Sequence, residues 1–322
     1  AKIIRESGLL DRRRVYYIIR FAIVLGLFAA GWVAFFAIGE SWWQLFVAAF
    51  MGVMFTQIAF LGHDVGHRQV FASKRTTQIA GLLLGNLGIC LGYGWWIGKH
   101  TRHHSNPNHV DDDPDVGVGV IIWSEEQANE RRGALSRWLG GRQAFWFFPI
   151  LLLEGLNLHV ASFRSLWDPE VKRKPIEATL LVLHVVLYLA ALFAVLPVGM
   201  AAAFLLVHLG VFGVYMGCSF APNHKGMPLL DEKMDFLRKQ VLTSRNVRGN
   251  VLVDYALGGL NYQVEHHLFP SMPMPNLRKA QPIIRDYCEK LGVPYTETGL
   301  LQSYKEILGY LHEVGAPLRA RS

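Results

Sequence analysis

Charge is what this sequence has least of. Acidic and basic residues make up 18% of its 322 positions while 52% are hydrophobic, against about 25% charged in an ordinary soluble protein. That deficit points to contact with lipid. Cysteine is sparse too: Cys90, Cys218 and Cys288 are odd in number and far apart, which argues against a disulfide framework or a cysteine-built metal cage and leaves free thiols. No short apolar core followed by a small-residue cleavage site opens the chain, so the polar, basic stretch before the first apolar run is expected to stay in the cytoplasm. No basic patch of the kind that grips nucleic acid is present. The excess of +7 is spread beside apolar runs, where it suits anionic headgroups or an acidic protein partner.

What is present is a set of long apolar runs. A membrane-crossing helix needs about 20 such residues, and four stretches qualify: 15–38, 42–61, 178–196 and 198–220. The first two are separated by Gly39 to Ser41 and the last two by Pro197, so each pair reads as a tight hairpin. Neither hairpin tip carries Lys or Arg. With the N-terminus inside, every basic residue then falls on the cytoplasmic side, except Arg20, which is expected to snorkel back to the interface from the first span. Two further runs, 78–97 and 144–160, are bracketed by basic residues at both ends, and the second also holds Glu154, Asn157 and His159. Both are expected to lie along the cytoplasmic face as interfacial or buried helices. The fold class is therefore an all-α integral membrane protein: four transmembrane helices and a cytoplasmic helical cap over 62–177 and 221–322, the whole chain forming one domain.

Three histidine clusters stand out: His63-Asp64-Val65-Gly66-His67, His100-Thr101-Arg102-His103-His104 and Gln263-Val264-Glu265-His266-His267. On a helix, residues three and four apart share a face, so each cluster can aim its imidazoles at one point. The expected topology puts all three on the same side of the bilayer. Imidazole-rich ligation suits iron, copper, zinc or nickel, and seven histidines exceed what one tetrahedral zinc can use; two metal ions are the economical reading. One such pair would be weak evidence, and three in order are strong.

This pattern resembles the membrane fatty acyl desaturases. The stretches GYGWWIGKHTRHHSNPNHVDDDPD, FAPNHKGMP and GGLNYQVEHHLFPSMP are similar to that family from the first cluster to past the third. The resemblance implies a four-helix stem, a cytoplasmic cap and two non-haem irons held by His63, His67, His100, His103, His104, His266 and His267. It adds His224 as a further ligand, with Asn223 near a bound water. Gln263 departs from the His that opens the third box in many members; its amide oxygen can still ligate a metal, and Gln is typical of the branch that inserts a double bond on the carboxyl side of an existing one. That branch often carries a fused cytochrome b5 domain with a His-Pro-Gly-Gly motif, absent from this sequence, and some bacterial acyl-coenzyme A members act at carbon nine. The implied reaction uses O2 and a long-chain fatty acyl substrate, with electrons from an external ferredoxin, or from cytochrome b5 with its NAD(P)H reductase. The expected location is a bacterial inner membrane, with both termini and the site cytoplasmic.

Other residues near the boxes take humbler readings. Asp111, Asp112 and Asp113, with Asp64 and Glu265, are expected to orient ligating imidazoles through their distal N–H groups, and Arg102 to support its box from behind, whereas His109 reads as part of a solvated turn. Trp95, Trp96 and Tyr262 are candidates for an acyl channel or for interfacial anchors. His184 and His208 lie inside spans and are assigned hydrogen-bonded packing roles. Three rivals remain open: a hydroxylase on the same scaffold, a zinc protease, which would want Glu where Asp64 stands, and a haem carrier held by the intramembrane histidines.

Overall fold

Backbone polar groups in hydrocarbon must be satisfied within the segment that carries them, which confines a crossing chain to helices or closed barrels. A computed structural model describes residues 1–320, and it takes the helical solution. The four apolar runs form helices Arg14–Ile38, Gln44–Gly66, Lys174–Val195 and Val198–His224. At 1.5 Å per residue they are roughly 33–40 Å long, sufficient for a bilayer core. Two of them run past the expected ends: the second carries His63 within its last turn and ends against His67, and the fourth ends on His224.

The two shorter apolar runs differ from expectation. Each is broken into a bent pair, Lys74–Gly88 with Tyr93–Ser105 and Gln143–Leu151 with Glu154–Trp167, so neither is one continuous helix. The described residues fall into two units. The first comprises Ala1–Gly98, Leu151–Gly217 and Ser271–Asn276; the second comprises Lys99–Ile150, Cys218–Pro270 and the described residues from Leu277 onward. Residues 62–98 and 151–177 group with the spans, where Leu84, Ile89, Leu91 and Leu158 pack.

In the first unit the core is aromatic and aliphatic, with Phe35, Phe55, Phe204, Phe212, Met51 and Leu192 all buried. Gln44 closes the first hairpin by donating to the carbonyls of Phe35 at 2.7 Å and Gly39 at 2.9 Å, and Gly39 takes the left-handed φ of +65° that costs glycine little. Gly52 lets two spans touch: a Cβ there would sit 2.7 Å from the His208 carbonyl.

The polar residues of this unit serve the broken segment. Around residues 83–92 the backbone leaves the regular ladder, and side chains supply what it loses. Glu177 accepts from Asn86 at 2.9 Å and from the Gly94 amide at 2.8 Å, while His184 reaches the Leu87 carbonyl at 2.7 Å and His159 the Ile89 carbonyl at 3.1 Å. His208 pairs with the Tyr188 hydroxyl. Arg20 corrects the sequence reading. It does not snorkel; it is 5% exposed and donates to Asp64 at 2.8 Å, because a charge in an apolar bundle is tolerated only when paired.

Among its described residues the second unit combines helices and loops with one short parallel pair, β1 (Asn246–Arg248) beside β2 (Glu297–Gly299), in register 246 to 297. Helix Leu300–Val314 follows β2, and Val314 and Leu318 close a small core with Ile122 and Ala128. Gln143 ties that core by donating to the carbonyls of Ile122 and Leu311.

Candidate metal centre

Three segments of the second unit, two of them the C-terminal ends of longer helices, bring histidines together. Helix Tyr93–Ser105 carries His100, His103 and His104 in its last turns. His224 ends the fourth long helix, two residues beyond Pro222. Gln263, His266 and His267 share the single-face spacing of helix Gln263–Leu268. Their Nε2 atoms form two groups. His104 Nε2 lies 3.1 Å from those of His100 and His266. His224 Nε2 lies 3.3 Å from that of His103, 3.1 Å from that of His267 and 2.8 Å from the Gln263 amide nitrogen.

The spacings between the ring nitrogens also fit a shared cation. Nitrogens bound about 2.1 Å from one ion at right angles would sit roughly 3.0 Å apart. The ring tautomers agree, since the outer nitrogens face acceptors: His103 Nδ1 meets Asp113 at 2.9 Å, His224 Nδ1 the Thr243 carbonyl at 2.9 Å and His267 Nδ1 the Gln240 amide oxygen at 2.8 Å. A proton held at Nδ1 leaves Nε2 as a lone pair, so in the group of His103, His224 and His267 three lone pairs face inward. Burial, reinforced by the neighbouring His104, His224, His103 and His266 rings, holds the His267 pKa well below the usual imidazole value, keeping the ring neutral. Two buried amide oxygens, Oε1 of Gln263 and Oδ1 of Asn223, have no hydrogen-bond partner. Imidazoles with one or two amide oxygens suit borderline transition metals, so the residues present fit iron.

Behind the rings lies a polar scaffold. Burial alone would raise the Asp113 carboxyl, but the His103 ring brings its pKa below the usual range. Asp115 stands 3.5 Å from the same ring and 2.7 Å from the Lys99 ammonium; against the cost of burial, Lys99, His103 and Lys225 hold its carboxyl low. Lys225 Nζ donates to the Asp115 carbonyl and lies 4.1 Å over the Trp123 ring. Gln240 joins two boxes, accepting from His267 and donating to the His104 carbonyl at 2.8 Å. Arg245, 1% exposed, donates to the carbonyls of Pro222 and Lys225 on either side of His224 and pairs with Glu306 at 2.6 Å. Glu265 turns away from the rings. It accepts from Asn246 at 2.6 Å and Tyr295 at 2.7 Å, and burial, outweighing those two bonds, pushes its carboxyl up to about 7.

The first box belongs to the other unit. There the His63 and His67 rings lie 4.6 Å apart and edge-on, with Trp96 against both at 5.8 Å and 6.4 Å. Asp64, between them, is held by Arg20, which also reaches Met274 Sδ at 3.1 Å. Of the remaining sequence candidates, Asp111, Asp112 and Arg102 are exposed, Trp95 is half-buried and Tyr262 is buried. Asp112 stands 3.6 Å from His109 and is not placed behind a box histidine. The sequence reading passed over Asp115, Asn108, Gln240, Arg245, Asn246 and Tyr295 as positioning groups; only Asp115, inside the acidic run, carried a local signal.

Helices able to cross a bilayer, with clustered imidazoles in the same chain, define a class: a helical membrane protein with histidine groups able to hold a metal ion. Within it, the fatty acid desaturase family matches residues 40–299, and the chain belongs to that family. It is similar to an acyl-lipid (9-3)-desaturase of Physcomitrium patens, 27% identical over 98% of this chain and 61% of that protein. A Delta(8)-fatty-acid desaturase of Helianthus annuus is 30% identical over 80% of this chain and 59% of its own length, and one of Euglena gracilis 30% identical over 90% and 71%. The chain spans about three fifths of the first two relatives.

Proposed function

We propose that the chain is an O2-dependent fatty acyl desaturase holding two non-haem irons and inserting a double bond into a long-chain acyl-coenzyme A or acyl-lipid. The observation that carries this is the pair of imidazole groups, His100, His104 and His266 in one and His103, His224 and His267 with Gln263 in the other, in a member of this family. His63 and His67 are assigned to the same centre on the box pattern. Bound iron would supply the oxidising power that removes two hydrogens from adjacent methylenes; the chain's residues bind and orient the acyl group and exclude side reactions. Trp95, Trp96 and Tyr262 are proposed to border the acyl chain, and Asn223 to hold a water.

Gln263 and the relatives named for Delta(8) and acyl-lipid desaturation support a bond placed toward the carboxyl end. Electrons are proposed to come from an external ferredoxin, or from cytochrome b5 with its reductase, docking on a cytoplasmic face of a bacterial inner membrane. Expression in a host with simple lipids, followed by double-bond mapping by mass spectrometry, tests the reading, with His103→Ala as the inactive control. New double bonds are expected with the parent chain and none with the variant; an added oxygen atom or unchanged lipid with iron-loaded protein would sink it.

A further inference from the structure

We propose that Asn108 is a positioning residue that fixes one of the two ion sites by locking His103 and His224 to each other, an inference that rests on the di-iron reading above. Asn108 lies in the loop after the second box, 1% exposed, with a left-handed φ of +56°. Asn tolerates that conformation better than most side chains, so the position selects for Asn or Gly on backbone grounds alone. The side chain is used as well.

The left-handed turn aims the Asn108 amide N–H at Asp113 Oδ2, 2.7 Å away. Asp113 in turn accepts from His103 Nδ1, so this one bond orients the carboxylate that orients the ring. The Asn108 side-chain amide points the other way, donating to the His224 carbonyl at 3.0 Å and more weakly to those of Pro228 at 3.3 Å and Met227 at 3.4 Å. The His224 carbonyl ends a helix, where the last four acceptors lack partners inside the helix; Asn108 caps it from the side, beside the Met227 N–H that donates to the same oxygen at 3.1 Å. The Asn108 carbonyl accepts from Leu230 N at 2.9 Å and Val110 N donates to Leu230 O, which pins the loop to the segment just past His224. One residue thus holds both imidazoles whose Nε2 atoms lie 3.3 Å apart. None of these hydrogen bonds reaches His100 or His266.

The test uses the 322-residue chain loaded with iron-57, with metal content per chain and Mössbauer spectra as readouts. Asn108→Gly keeps the left-handed backbone and the amide bond to Asp113 while deleting the link to His224. The parent is expected to show two iron environments. In N108G one should weaken, on the order of 10–100-fold in affinity, as for other groups that orient ligands, and its quadrupole signal should change while the other persists. Two unaltered signals would overturn the proposal, and so would loss of both together, which would make Asn108 a prop of the fold instead of one site. A parent chain that binds no iron would sink the di-iron reading and this inference with it, an outcome distinct from a loaded parent with an unaffected variant.

Discussion

A ligating ring is only as well aimed as the group behind its far nitrogen, and Asp113 is the clearest case in this protein. Asp113→Asn keeps the shape and removes the charge on His103 Nδ1. Metal held by His103 should weaken on the order of 10–100-fold, measured by competition with a chelator, whereas Asp112→Asn, in the exposed turn, should leave affinity unchanged. Adjacent residues of the same type separate because only one is buried against a ring. Tyr295→Phe probes the brace behind the third box. It leaves Glu265 with Asn246 as its remaining side-chain donor and is expected to cost about 1 kcal/mol, read from thermal melting of the apo and loaded protein.

Elements carry the next layer of specification. Arg20 and Asp64 link the first span to the helix of the first box, and both are buried. Arg20→Met should destabilise the protein by about 3–5 kcal/mol through the uncompensated carboxylate. R20M combined with Asp64→Asn should recover part of that loss, and a double-mutant cycle measures the coupling. The pairing also explains what the sequence could reveal. Apolar length gave the four spans to within a few residues, since hydrophobic runs and helix length are local properties, and box spacing gave the shared faces. The broken segment at 83–92 was invisible because His184 and His159 take up its carbonyls, and Glu177 anchors Asn86 and the Gly94 amide, from distant parts of the chain. Asn108, Gln240 and Arg245 were hidden for the same reason: each acts across tens of residues and leaves no periodic trace.

For the molecule as a whole, the proposed reaction couples the membrane, the metals and a soluble reductant. Stripping metal with a chelator should lower the melting temperature, since ions bound at 1,000 times their Kd stabilise a fold by about 4 kcal/mol, and differential scanning fluorimetry of apo and reloaded protein measures it. Turnover with an acidic electron donor should slow as ionic strength rises, because exposed charges more than a Debye length apart are screened; a rate indifferent to salt would remove electrostatic docking from the account. The inward-facing ring nitrogens carry one more implication. A cradle of neutral imidazoles binds zinc or copper at least as readily as ferrous iron, so its geometry does not by itself choose the redox-active ion. Chains produced in zinc-rich, iron-poor medium should therefore fold, melt normally and be chemically silent. Elemental analysis distinguishes such a chain from one loaded with iron.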